Sequence, residues 1–182
     1  MRELALHLLD IAENSVAADA KTIRIEICED ISRDRLSMKV EDDGKGMTEE
    51  MVQRVTDPFV TSRTTRKVGL GLPLLKEAAE ACNGSLTITS KVGKGTSVYV
   101  DFQRSHIDRM PLGDIATTFL NLLIAHPPIH FIFRYMIGEK EFYLDDETIK
   151  SELQGVSMTE PVVLTFLRNF FESGIHSIQT VA

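Results

Sequence analysis

Residues 9–15 read Leu-Asp-Ile-Ala-Glu-Asn-Ser, within a segment 3–17 whose apolar residues have helical spacing. Because Asp10 and Asn14 are four residues apart, a helix makes them neighbours on one face. An amide oxygen is a hard ligand that suits Mg²⁺, and a carboxylate one turn earlier could orient or deprotonate an attacking water or hydroxyl. Taken alone, the pair also fits a solvated helix surface, so its meaning depends on the motifs that follow.

A second motif comes after the alternating apolar and polar residues 36–40, which predict a half-buried strand. Residues 41–47 read Glu-Asp-Asp-Gly-Lys-Gly-Met. A carboxylate at the end of a strand, here Asp42, can accept hydrogen bonds from an exocyclic amine such as that of adenine. Gly44 and Gly46 permit a positive φ and the close approach of a ligand. An ordinary Asp-Gly turn is the alternative for this motif by itself.

A third motif, Val-Gly-Leu-Gly-Leu at 68–72, leads into a predicted helix that ends before Asn83-Gly84. Backbone N–H groups at a helix start bind anions, and the glycines let phosphates come near. The preceding loop carries three cations that could screen phosphate charge: Arg63, Arg66 and Lys67. A basic loop is also commonly just solvated. The P-loop and the dinucleotide fingerprint are both absent from the sequence.

The composition restricts the class of protein. The chain has 182 residues and a net charge of -7, with 43% hydrophobic and 26% charged residues, as in soluble globular proteins. No apolar run reaches the roughly 18 residues that span a bilayer. The acidic balance disfavours nucleic acid as the main partner. Cys28 and Cys82 lack the spacing of a zinc site or a disulfide scaffold, so we expect a cytoplasmic protein with reduced thiols and no membrane partner.

A shift in composition predicts two units, 1–104 and 105–182. The second unit holds nine of the twelve aromatic residues, and residues 103–111 have the character of a linker. Its pattern predicts a helix, a hairpin with an aromatic face and two further helices. Because a core of about 70 residues is thin, we expect this module to pack against the first unit, to form a homodimer or to hold a protein partner.

The order of the motifs resembles the nucleotide-binding domain shared by DNA gyrase, the mismatch-repair protein MutL, the large heat-shock chaperones and sensor histidine kinases. This is the GHKL superfamily, or Bergerat fold. Residues 12–20 are close to the MutL version of the asparagine box, whereas 57–62 and 69–76 are closer to histidine kinases. The resemblance covers about residues 4–102. It implies an α/β two-layer sandwich in which a mixed, mostly antiparallel sheet carries helices on one face.

The resemblance also implies roles for individual residues. Asn14 would ligate the Mg²⁺ that bridges the ATP phosphates, and Asp42 would bond the adenine amino group with help from Thr96. Residues 60–68 would form a mobile lid over the nucleotide. Asp10 falls where gyrase and MutL place a glutamate base, and its side chain is one methylene shorter, which leaves its competence as a base open. The remaining nucleotide contacts would be Gly44, Gly46, Met47, Thr61, Ser62, Arg63, Gly69, Leu70, Gly71 and Leu72.

These motifs predict a protein that binds Mg²⁺–ATP and transfers or hydrolyses the γ-phosphate. Because the first helix begins almost at Met1, we expect a stand-alone domain with no phospho-acceptor histidine module before it. His7 lies inside that helix and is expected to flank the pocket rather than to accept phosphate. Two enzymatic forms stay open, a kinase of a separate protein and an ATPase. The alternative is a nucleotide-gated interaction module with little or no turnover.

Overall fold

A computed structural model describes residues 3–55 and 71–179. Within these ranges the helices are α1 (Leu4–Ala17), α2 (Glu49–Arg54), α3 (Gly71–Ala81), α4 (Ile115–Ala125), α5 (Asp146–Glu152) and α6 (Pro161–Gln179). The strands are β1 (Thr22–Asp30), β2 (Arg35–Asp42), β3 (Ser85–Lys91), β4 (Gly95–Gln103), β5 (His130–Ile137) and β6 (Lys140–Asp145). The predicted lid and the residues Thr61, Ser62, Arg63, Gly69 and Leu70 lie outside the described ranges.

The six strands form one open sheet in the order β3-β4-β2-β1-β5-β6. Four of the strand pairs are antiparallel, and β1 with β5 is the parallel one. The predicted fold class, a mixed and mostly antiparallel sheet with helices, is therefore confirmed. Antiparallel neighbours need only short turns, whereas a parallel pair needs a long crossover connection. The connection from β1 to β5 contains β2, β3 and β4.

One face of the sheet is buried beneath helices. Alternate residues of β1, Ile23, Ile25 and Ile27, are fully buried, and the inward residues of β2 are nearly so. The opposite face carries charged and polar side chains such as Arg24 and Glu41, as expected for a sheet that is covered on one side only. In the part of the chain that the structure describes, no helix has both the length and the apolar character needed to cross a membrane.

Helix α1 is held at its start by the chain that follows β4. The backbone N–H groups of Leu4 and Ala5 donate to the carbonyl oxygens of Pro111 and Leu112, at 3.0 and 2.9 Å. The first N–H groups of a helix lack partners within the helix, and Glu3 at the N-cap makes no side-chain cap. Residues 111–112 therefore supply the missing acceptors. The division into units at residue 104 stays a prediction, and strands from both sides of it share the sheet.

Candidate nucleotide site

The carboxylate of Asp42, at the end of β2, joins three elements. Its Oδ1 accepts hydrogen bonds from the backbone N–H groups of Gly44, at 2.9 Å, and Thr96, at 3.2 Å. Its Oδ2 accepts a hydrogen bond from Ser15 Oγ on α1, at 2.6 Å. Hydrogen bonds to a charged acceptor are among the stronger ones in proteins. The strand end, the turn after it and the first helix thus converge on one side chain.

A row of polar residues ends the buried face of the sheet at this position. Asp42 pairs with Thr96 on β4, and Thr96 pairs with Ser90 on β3. Ser90 Oγ lies 2.8 Å from Thr96 Oγ1 and accepts a hydrogen bond from the backbone N–H of Met47, at 2.8 Å. Strand alternation directs this row towards the helices, where the positions further along each strand are apolar. The apolar core therefore gives way to a hydrogen-bonding surface beneath the end of α1.

The two glycines of the second motif allow backbone segments to meet. A Cβ on Gly44 would lie 2.6 Å from the carbonyl oxygen of Ala18, and one on Gly46 would lie 2.1 Å from that of Lys91. Gly46 also has a φ of +65°, which residues other than glycine rarely adopt. The turn therefore packs tightly between the end of α1 and the β3–β4 hairpin. A hydrogen bond from the Lys45 N–H to the carbonyl oxygen of Ala18, at 2.8 Å, also links the turn to α1.

Asp10 lies against the start of α3. A Cβ built on Gly71, the first residue of that helix, would be 1.7 Å from Asp10 Oδ2. A larger residue at position 71 would therefore require the carboxylate to move. A negative charge next to a helix N-terminus is favoured, because the first N–H groups carry partial positive charge. The structure thus brings Asp10 and the glycine of the third motif together, although 61 positions separate them in the sequence.

Asn14 lies half-buried on α1, one turn after Asp10 and next to the buried Ser15. The predicted residues therefore fall into two groups along one helix. Asp42, which Thr96 contacts through its backbone N–H, meets the end of α1 at Ser15, and Gly71 meets the middle of α1 at Asp10. Leu72 continues α3 from Gly71 and packs against the core.

Ser15 and Ser90 were not among the predicted site residues. Both occupy positions where the periodicity calls for an apolar side chain. Ser15 follows Ile11 by four residues on the buried face of α1, and Ser90 continues the inward series of β3 after Ile88. A polar group at such a position requires a hydrogen-bond partner, since burial without one is costly. This interruption of the apolar pattern is the signal that could have identified both serines.

A groove of about 500 Å³ lies close to this site, largely on the other face of the sheet. Side chains at Arg24, Glu41 and Ser97 lie along one cross-strand row and contribute to its lining. Strand alternation directs that row away from the helices, opposite to the side chains of Asp42 and Thr96. The groove also includes Asp42, Ser90 and Thr96 in its lining, so it adjoins the hydrogen-bonding surface beneath α1.

Residues 1–106 match the family described as "Histidine kinase-, DNA gyrase B-, and HSP90-like ATPase". The chain belongs to this ATPase family. The matched residues include α1 and the first four strands, and with them Asp10, Asn14, Asp42 and Thr96. The resemblance predicted from the order of the motifs is confirmed, and the chain contains an ATPase domain of the histidine-kinase type.

Individual relatives of this ATPase domain are sensor kinases. The putative sensor histidine kinase NtrY-like of Rickettsia conorii is 28% identical over 108 residues, which cover 59% of this chain and 18% of that protein. Sensor histidine kinase YxdK of Bacillus subtilis is 34% identical over 97 residues, which cover 50% of this chain and 30% of that protein. The matches thus span less than a third of the length of these relatives.

The fold is also similar to a solved structure, the crystal structure of the N-terminal domain of a DNA repair protein. The TM-score is 0.57 at 16% sequence identity, and the match covers 80% of this chain and 53% of the other. Likeness at this identity concerns the fold alone. Its coverage is wider than the family match over residues 1–106, so the similarity in fold includes part of the chain after β4.

Replacing Ser15 with Ala should lower the free energy of unfolding by about 1.5–3 kcal/mol, because it removes a hydrogen bond to a charged acceptor from a buried position. Urea denaturation followed by circular dichroism measures the change. Ser32→Ala is the matched control, since Ser32 Oγ donates to Asp30 Oδ1 at 2.6 Å at an exposed site. Equal losses in the two variants would contradict the anchoring role of the Ser15–Asp42 contact.

Proposed function

We propose that the chain binds Mg²⁺–ATP between α1, the polar end of the sheet and the start of α3, and that it transfers or hydrolyses the γ-phosphate. The observation that carries this proposal is the 2.6 Å hydrogen bond between Ser15 Oγ and Asp42 Oδ2. It sets the helix that bears Asp10 and Asn14 directly against the strand end that bears the carboxylate. Membership of the ATPase family supports ATP as the ligand.

Asp42 suits the adenine end of the site. An ionised carboxylate offers about four acceptor positions, and three donors within the chain use some of them. The remaining capacity matches the exocyclic amine of adenine, which donates, and does not match the carbonyl oxygen that guanine carries at the corresponding position. The protein's own donors hold the carboxylate in place, so binding of the base requires little reorganisation.

The start of α3 and the middle of α1 suit the phosphate end. The first N–H groups of α3 are free of helical partners, and such groups bind phosphate oxygens. Asn14 presents an amide oxygen one turn after Asp10, and a hard oxygen donor of this kind fits Mg²⁺. Magnesium usually takes one or two protein ligands together with phosphate oxygens and water, so this small donor set is sufficient. Bound Mg²⁺ would neutralise phosphate charge, with Asn14 as its ligand.

Asp10 is the residue that we assign as the general base. Its carboxylate would orient the attacking water or protein hydroxyl and accept its proton. Gly71 lies against Oδ2 and restricts where that carboxylate can point. The side chain is shorter than the glutamate of gyrase and MutL, so the attacking group must come closer to α1. Because the relatives include sensor histidine kinases, we favour phosphate transfer to a protein partner over release of free phosphate.

The second candidate function is a nucleotide-gated interaction module, and α6 favours it. Val162, Phe166 and Phe170 follow one another at four-residue intervals along this helix, and they are 81%, 62% and 39% exposed. Exposed apolar stripes often mark protein–protein contacts. In this case ATP would change the affinity for a protein partner or the formation of a homodimer, with negligible turnover.

Asp42→Ala should abolish the preference for ATP over GTP, because the acceptor for the adenine amine is lost. Competition against a fluorescent ATP analogue measures both affinities, and we expect the ratio to fall by about tenfold or more, the equivalent of one hydrogen bond to a charged group. Asp43→Ala is the control, since Asp43 Oδ1 accepts from the backbone N–H groups of Lys21 and Thr22 instead. An unchanged ATP preference in folded Asp42→Ala would reject the assignment.

Asn14→Ala should lose most of the gain in ATP affinity that Mg²⁺ provides, because the amide ligand is removed. Titrations of ATP with Mg²⁺ and with EDTA, for wild type and variant, isolate this gain. Asn121→Ala on the exposed side of α4 is the matched control and should behave as wild type. The same dependence on Mg²⁺ in wild type and Asn14→Ala would show that Asn14 is not the ligand.

The variant Asp10→Asn distinguishes the two candidate functions, an enzyme and a nucleotide-gated interaction module. For an enzyme, the variant should lose about 100-fold or more in phosphate release or partner phosphorylation and keep its ATP affinity, since a base acts in the transition state. Glu13→Gln on the same helix serves as the control, because Glu13 contacts His126 at 3.0 Å and not the proposed site. Absence of turnover in the wild type, combined with ATP-dependent partner binding, would select the module instead.

A further inference from the structure

A cluster of one histidine and two carboxylates lies where β5, β6 and α5 meet, outside the proposed nucleotide site. His130 begins β5, Asp145 ends β6 and Asp146 begins α5. One nitrogen or oxygen atom from each of the three side chains lies within 4.8 Å of the other two. Within residues 3–55 and 71–179, no other three histidine, cysteine or acidic side chains are grouped in this way. The burial and the contacts of each group show whether the cluster requires a further ligand.

Asp146 is the buried member of the cluster. Its side chain is fully buried, and neither carboxylate oxygen has a hydrogen bond of normal geometry to the described residues. The ammonium of Lys150, one turn later, forms an ion pair with Oδ2 at 2.7 Å and donates to the carbonyl oxygen of Ile129 at 2.6 Å. Burial raises the pKa of the Asp146 carboxyl, and the contact with Lys150 opposes that effect only in part. Because buried polar atoms normally have a partner, Oδ1 of Asp146 requires a second one.

His130 lies between two other carboxylates. Its Nε2 is 2.8 Å from Asp145 Oδ1, and its Nδ1 is 3.7 Å from Glu147 Oε1. A neutral imidazole has one donor and one acceptor nitrogen, so it can donate to only one of these two acceptors. Either a second ring proton or a metal ion on Nε2 resolves this conflict. With a metal ion on Nε2 the ring proton lies on Nδ1 and faces Glu147, and histidine ligands usually donate their other ring N–H to a carboxylate in this way.

We propose that His130, Asp145 and Asp146 form a binding site for a divalent transition-metal ion of the Zn²⁺ type, with Glu147 orienting the imidazole. Zinc accepts imidazole nitrogen and carboxylate oxygen together, whereas Mg²⁺ and Ca²⁺ prefer oxygen ligands alone. Three protein ligands leave the fourth tetrahedral position to water.

The charges of the cluster fit a dication. The three acidic residues 145–147 exceed the single positive charge of Lys150 by two, so a divalent ion brings the cluster to neutrality. The bound ion would also fasten the start of β5 to the start of α5, since its ligands come from both. This site is independent of nucleotide binding, because none of its residues belongs to the proposed nucleotide site.

Titration with Zn²⁺ in the absence of nucleotide tests the site on the full-length chain, prepared without an affinity tag and stripped with EDTA. His130→Gln removes the imidazole, Asp146→Asn replaces the buried carboxylate by an amide of the same size, and Glu147→Gln removes the outer charge. His106→Gln is the matched control, because His106 Nδ1 also lies near a carboxylate, 3.9 Å from Asp108 Oδ2, but outside the cluster. Calorimetry measures affinity and stoichiometry, and thermal unfolding measures the stability that the metal adds.

We expect wild type and His106→Gln to bind a single Zn²⁺ with the same affinity, also in excess Mg²⁺. His130→Gln and Asp146→Asn should bind about 100-fold or more weakly, and Glu147→Gln about tenfold more weakly, since losing the partner of a metal ligand commonly has an effect of that size. Zinc should raise the unfolding midpoint of wild type and not that of His130→Gln. Absence of zinc binding by the wild type overturns the proposal, and so does equal zinc affinity in wild type and folded His130→Gln.

NMR of the wild type tests the ligand set even if a variant fails to fold. In ¹H–¹⁵N spectra at neutral pH with saturating Zn²⁺, the ring of His130 should be the Nδ1–H tautomer with the metal on Nε2, and the signals of His106 should not change. A His130 ring that keeps both ring protons in saturating Zn²⁺ overturns the proposal, because the imidazolium then satisfies both carboxylates without a metal. Zinc binding at His130 by a chain that binds no nucleotide would support this site and contradict only the proposed function.

Discussion

The contact between Ser15 and Asp42 is the interaction on which the arrangement of the site depends. Asp42 ends β2, and its carboxylate receives one hydrogen bond from α1, one from the following turn and one from β4. Because each donor belongs to a different segment, loss of the carboxylate would release all three at once. The same side chain that holds the elements together is the one we assign to adenine, so the stability of the fold and recognition of the base are coupled here.

Helix α1 concentrates the chemistry of the molecule on a single element. Asp10, Asn14 and Ser15 lie within two turns of this helix: Asp10 and Asn14 are assigned to the phosphate end of the nucleotide site, and Ser15 holds Asp42. The helix is also packed from several directions, by α3 and α4 and by the carbonyl groups of residues 111–112 at its start. A rigid helix suits this purpose, because catalytic and binding groups must be held to a fraction of an ångström.

The chain after β4 contributes to the same structure. Parallel pairing of β1 with β5 extends the sheet, and the aromatic side chains of α4, β5 and α6 pack on one another, with Phe119 lying 4.7 Å from Phe133 and 5.2 Å from Phe171 between ring centroids. His126 at the end of α4 contacts Glu13, the neighbour of Asn14, at 3.0 Å. A partner bound to this part of the chain would therefore have a short physical connection to α1.

The sequence alone determined the elements and the chemical type of the site, because helical and strand periodicities and glycine motifs are local properties. It also predicted Asp10, Asn14 and Asp42 as candidates by their order along the chain. Only the tertiary structure decided that Ser15 would anchor Asp42, that Gly71 would lie against Asp10, and that β5 would join β1. The members of these three pairs lie 27, 61 and more than 100 positions apart in the sequence. They depend on how buried faces pack, and no local pattern encodes which distant partner a buried polar group will find.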